Sequence, residues 1–230
     1  MAHINKTMLT KLEIIRVATR KFLEQGYSNT SIKAICDELE MSTGNLTFHF
    51  PTKEHLLAAL TQMLCHFQQK MMDQEAEEGL SSIMAVCLEL SSMAVMCENS
   101  EIAKDFYLST YSSPLSLDII RKNDMKRAKQ VFKDYCEGWS EEQFKEAEIL
   151  VSGMEYATLM TTGDPASLET RIAGAIDGIL NIYGVPEEIR KIKVKKLFAL
   201  NYLEIGNRVL RDFKAFVEQV NEQAFLDLVS

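Results

Sequence analysis

The chain has 230 residues, with 25 Lys+Arg against 33 Asp+Glu and a formal net charge of -8. That length holds one large domain or two small ones around a core that needs no staples. Hydrophobic residues at 47% with only 4 Pro and 10 Gly exclude disorder and favour long helices, and the acid excess excludes a protein that coats nucleic acid regardless of sequence.

The first helix is predicted over residues 9–25. Leu12, Ile15, Ala18 and Phe22 recur at helical spacing, and Gly26 stops it by accepting left-handed torsions. Thr30-Ser31 caps a short helix over 32–39, and Ser42 caps another over 43–49. Pro51 ends that one, and Thr52 caps a fourth whose Leu56, Leu57, Leu60, Met63, Leu64, Phe67 and Met71 form one apolar stripe. Further helices are predicted over 80–97, 101–110, 115–136, 141–161 and 165–183. The last of these opens on Asp164-Pro165 and stops at Gly184. A long helical pattern then runs from about 186 to the end. No strand alternation and no internal repeat is present, so the fold class is all-α.

The five cysteines are odd in number, lack a C-x-x-C pair and have apolar neighbours, which reads as reduced thiols used as small hydrophobes. The N-terminus has no apolar signal region, and the most apolar stretch, 83–97, is shorter than the roughly 20 residues of a membrane span. A cytoplasmic protein without a membrane partner is expected. His3, His49, His55 and His66 form no metal-binding spacing, and no phosphate loop, dinucleotide fingerprint or nucleophile elbow occurs. No enzyme, metal or cofactor is expected.

Helices of seven or eight residues are not stable alone, so the second and third must pack on the first and on the start of the fourth. Their expected core is Ile15, Ala18, Phe22, Ile32, Ile35, Leu39, Met41, Leu46 and Phe50. Two short helices joined by a tight turn fit a helix-turn-helix, whose second helix enters the DNA major groove. The charge agrees: residues 1–54 carry 7 Lys+Arg and 6 Asp+Glu, net +1, and the remainder carries 18 and 27, net -9.

Residues 14–57 resemble the DNA-binding domain of the tetracycline-repressor (TetR) family of bacterial regulators. The matching residues are Ala18, Phe22, Gly26, Tyr27, Thr30, Ser31, Ile35, Met41, Ser42, Gly44, Asn45, Leu46, His49, Phe50, Lys53, Glu54 and Leu56; the string S-T-G-N-L-T-F-H-F-P-T-K-E-H-L is the strongest part. The resemblance implies a three-helix reader over 1–54, joined by the fourth helix to an effector-binding and dimerisation domain over 55–230. Ser42, Thr43, Gly44, Asn45, Thr47, Phe48 and His49 then face base edges, where Asn suits adenine and Thr or Phe a thymine methyl. Thr30, Ser31, Lys33 and Lys53 then face phosphates, with capping and a solvated lysine as the plainer roles of these residues. The family usually has tyrosine at the position of Thr47, and the shorter side chain suggests a shifted operator preference.

The resemblance also implies a pocket for a small, mostly apolar effector between the later helices. Candidate lining residues are Met93, Met96, Phe106, Tyr107, Tyr111, Trp139 and Met154, for which ordinary core packing is the alternative. Buried acids such as Glu89 or Glu155 would meet a cationic ligand, with a surface or salt-bridged carboxylate as the plainer reading of each. Helices 141–161 and 165–183 are the expected homodimer surface, helped by Ala173, Gly174, Ala175 and Gly178. The expected function is a ligand-responsive regulator, a repressor released from a pseudo-palindromic operator. The alternative is a helical interaction module that kept the fold and lost specific DNA binding.

Overall fold

The computed structural model describes residues 6–77, 80–163, 166–221 and 224–225. Three helices open the chain: α1 (Lys6–Gln25), α2 (Ile32–Glu38) and α3 (Thr43–His49). The long α4 (Lys53–Glu77) leads into α5 (Ser82–Asn99), α6 (Glu101–Ser112), α7 (Pro114–Val131), α8 (Glu141–Met160), α9 (Leu168–Ile182), α10 (Glu187–Phe198) and α11 (Tyr202–Gln219). The described residues contain no strand.

Local chemistry sets most boundaries. The side chains of Ser31, Ser42, Ser81, Ser100, Ser140 and Ser167 each accept a first-turn amide, and Ser140 completes a capping box with Gln143. Gly26, at φ 91°, ends α1. Its hydrogen is needed twice over, because a Cβ there would lie 2.9 Å from Asp105 Oδ2.

Two expected helices differ in length. The helix predicted over 115–136 ends at Val131, and Phe132 turns away to stack on Tyr183 with ring centroids 4.2 Å apart. The helix predicted from 165 begins at Leu168 under a Ser167 cap, and Asp164 and Pro165 lie outside the described residues. The long C-terminal pattern is two helices. Ala199 and Leu200 close turns back to Lys196 and Leu197, and the chain then redirects into α11. No glycine or proline marks this break.

α5 is apolar around its whole circumference and most of its residues are buried, the pattern of a central helix. It is the one helix among the described residues long and apolar enough to cross a membrane, yet 72% of it is covered by the body. α11 lies against it so closely that a Cβ on Gly206 would meet Val95 Cβ at 2.7 Å. α11 also braces the N-terminal helices. Arg16 donates to the Val220 carbonyl at 2.8 Å, and Arg20 pairs with both Glu38 at 2.7 Å and Glu218 at 2.8 Å.

Candidate functional site

The N-terminal unit packs as the apolar spacing requires. Ile15, Ala18, Phe22, Ile35, Leu46 and Phe50 are buried, with Ile32, Leu39 and Met41 packed against them. The turn between α2 and α3 places Glu40 at φ 50°, a left-handed torsion that costs a side-chain-bearing residue about 1 kcal/mol.

This packing turns one face of α3 outward. Ser42, Thr43, Gly44, Asn45, Thr47 and Phe48 are exposed, and Leu46 alone points fully inward. Phe48 is 78% exposed, an unusual position for a phenyl ring. The Thr47 hydroxyl donates back to the Thr43 carbonyl at 3.0 Å, so its methyl is the part left to make contacts. His49 is half-buried, and its edge meets the Phe48 ring at 5.2 Å. Burial, with Lys11 nearby, lowers its pKa and favours the neutral ring.

The expected phosphate-facing residues divide. Ser31 and Lys33 are exposed beside the α2 N-terminus. Thr30 is buried, and its hydroxyl donates to the Gly26 carbonyl at 2.8 Å, so its side chain faces inward. Lys53 is half-buried. Its ammonium donates to the Tyr27 and Thr30 carbonyls at 2.9 and 3.0 Å and lies 4.1 Å above the Tyr27 ring. It therefore clamps the α1–α2 turn. Burial pulls the Lys53 pKa down, with Glu54 and Asp105 opposing, and burial raises the Tyr27 phenol to about 12.

Deep in the body lies a second constellation, mostly invisible in the sequence. Arg127 of α7 pairs with Glu89 of α5 at 2.8 Å and with Asp124 at 2.7 Å. Tyr111 of α6 donates to Glu155 of α8 at 2.9 Å, and Tyr183 donates to Glu148. Burial raises all four carboxyls above their ordinary values and brings Glu148 to about 8. Burial alone would lower the Arg127 pKa, but Glu89 and Asp124 together hold it up.

Three voids adjoin this cluster. One of about 20 Å³ is bounded by Glu89, Met93, Tyr107, Tyr111, Asp124, Arg127 and Glu155. Another of about 30 Å³ shares Asp124, Arg127 and Glu155 with it, and a third of about 30 Å³ shares Gln68, Glu89 and Met93. An open cleft of about 430 Å³ between α4 and α7 reaches the same wall through Cys65, Asp124 and Arg127. Among the expected effector residues, Met93, Tyr107 and Tyr111 thus meet at one void. Met96, Phe106, Trp139 and Met154 line none of these spaces. Phe106 packs edge-on against Tyr107, Trp139 lies on Phe144, and Met154 fills the space beside Gly178. Two of the three voids are walled by the charged cluster, and the third is walled mostly by apolar side chains, among them Met71, Met72, Leu88 and Val209. Asp124, Arg127, Glu148 and Tyr183 were missed. The readable signal was polar residues on an apolar face: Ile120, Asp124, Arg127 and Val131 follow one helical stripe.

An exposed helix-turn-helix on a helical body is the architecture of a DNA-reading regulator. Residues 14–60 match the family described as bacterial regulatory proteins, tetR family. The chain is 30% identical over 151 residues to the HTH-type transcriptional regulator LmrA of Bacillus subtilis (strain 168), covering 62% of this chain and 80% of that one. Among solved structures it is similar to a gamma-butyrolactone receptor (ArpA-like protein), with 16% identity, 90% of this chain and 99% of that chain covered, and a TM-score of 0.46. It is also similar to Salmonella enterica GusR, with 22% identity, coverage of 78% and 98%, and a TM-score of 0.47. The chain belongs to the tetR family of bacterial regulatory proteins, and it is a DNA-binding transcriptional regulator.

Proposed function

We propose that this chain is a cytoplasmic repressor that reads a pseudo-palindromic DNA operator as a homodimer and leaves it when a small molecule binds the body. The observation that carries the DNA contact is the outward face of α3, where Phe48 stands 78% exposed beside Thr43, Gly44, Asn45 and Thr47. Residues 1–54 form the reader and 55–230 the effector and dimerisation domain, with α4 spanning the boundary. Ser31 and Lys33 meet phosphates, and Lys53 supports them by holding the turn.

Dimerisation through α8 and α9 is supported by Ile149 and Leu150, which are 54% and 53% exposed on α8. Large apolar side chains bared together on one helix favour a protein contact. Two reading helices must then enter major grooves about 34–36 Å apart or a multiple of that. A ligand that favours another spacing lowers DNA affinity by its differential binding to the two states.

The test is selection of bound duplexes from a random double-stranded pool by the full chain. Enrichment of a two-fold-related pair of half-sites is expected. A folded protein that enriches no sequence would leave the interaction-module reading in its place.

A further inference from the structure

We infer that the buried cluster between α5, α6, α7 and α8 is a receptor for the ammonium group of a small organic cation, which enters through the cleft between α4 and α7. This rests on the ligand-responsive reading and names the chemical class of the ligand.

The charge count is the first argument. Glu89, Asp124, Glu148 and Glu155 are gathered around a single paired guanidinium, Arg127. The other groups that the packed helices turn toward them are Arg121, the phenols of Tyr107, Tyr111 and Tyr183, and the Cys65 thiol. Arg121 donates to Ser152 Oγ at 3.0 Å and pairs with none of the four carboxyls. Ionised together, four carboxylates would exceed the paired Arg127 and the nearby Arg121 by two charges, and a buried excess of that kind is relieved by protons or by a cation.

The second argument is independent of charge. Tyr107 is 1% exposed, its hydroxyl has no hydrogen-bond partner among the described residues, and it lines the same void as Glu89, Asp124 and Glu155. A buried hydroxyl left unpaired costs stability unless something enters to meet it.

Size is the third argument. A void of about 20 Å³ admits a group the size of a water molecule, which is also the size of an ammonium head. Such a head carries three donors, which suit Glu155, Asp124 and the Tyr107 oxygen. The body of the ligand lies in the cleft of about 430 Å³, whose wall shares Asp124 and Arg127 and whose sides carry Gln62, Gln69 and Asn123. No group of His, Cys, Asp and Glu among the described residues is arranged to hold a metal ion.

Burial raises the Glu155 carboxyl well above its ordinary value, so an incoming cation displaces the proton it holds and affinity should rise with pH. The test uses the full chain, with melting temperature and duplex binding as readouts. The probes are ethanolamine, D-glucosamine and butylamine as ammonium ions, each against its hydroxyl counterpart: ethylene glycol, D-glucose and 1-butanol. Ammonium probes should stabilise the protein, and more at pH 7 than at pH 6, while the counterparts do not. Glu155→Gln should abolish the response. Tyr107→Phe, which leaves the charges untouched, should raise the melting temperature of the free protein and weaken the response. Stabilisation by none of the ammonium ions, equal stabilisation by the alcohols, or an unchanged response in both variants would overturn the cation site. If ammonium ions stabilise the protein and duplex binding is unaffected, the cation site stands and ligand-driven release is wrong. If a neutral molecule alone releases the duplex, release stands and the cation site is wrong.

Discussion

Asp105, on α6, accepts the backbone amide of Ser28 at 2.9 Å and also the Ser28 hydroxyl. One carboxylate thereby ties the body to the turn that positions α2. The same helix carries Tyr107 and Tyr111 to the buried cluster, so the cluster and the reader are attached to one rigid element. Asp105→Ala should cost about 1 kcal/mol, since the bond is charge-assisted but exposed. Hydrogen exchange checks this: the Ser28 amide should lose protection while α5 keeps it. Equal protection in both proteins would remove the strut.

Phe48→Ala should separate stability from function. The ring is exposed and packs only edge-on against His49, so the change in stability should stay within about 0.5 kcal/mol. DNA affinity should fall. Thermal melts and duplex titrations of the same preparation measure both.

Lys53→Ala should act on both. It removes two hydrogen bonds to the α1–α2 turn and the contact with Tyr27, a loss of about 1–2 kcal/mol for a half-buried ammonium. Binding should weaken on every duplex alike, because the lysine supports phosphate contacts and reads no base. A weakening confined to one sequence would contradict that role.

Stability should fall as pH rises from 6 to 8. The ordinary value for Glu148 is 4.5, and burial raises it to about 8 in the folded protein. The folded state holds a proton that the unfolded chain has released between those values. The associated stability is whole below about 4.5 and is lost as pH rises through about 8. The slope is up to about 1.4 kcal/mol per pH unit for each such proton. Denaturant melts at pH 6, 7 and 8 measure it, and Glu148→Gln should flatten the trend.

The reader was legible because its signals are local. Ser31, Ser42, Gly26 and Pro51 stand where a cap, a stop or a break is required, and α3 falls on Thr43–His49 as the spacing predicts. The body was legible only as a succession of helices. Its break at Phe132 goes with stacking on Tyr183, and its break at Ala199 precedes the close packing of α11 on α5; no local residue announces either. The buried cluster was half legible. Glu89 and Glu155 interrupt apolar stretches, whereas Asp124 and Arg127 sit in a charged stretch of α7 whose one mark of burial is the stripe they share with Ile120 and Val131. The bracing of α1 by Arg16 and Val220 spans the length of the chain and leaves no mark in either segment.

The measurement nearest the central claim is fluorescence anisotropy of the duplex upstream of this protein's own gene, titrated with the full chain across a series of salt concentrations. Saturable binding is predicted, with log affinity falling linearly with log salt. Asn45→Ala should lose about 1–3 kcal/mol on that duplex while keeping the slope. A well-folded dimer that shows no binding at low salt would contradict the account.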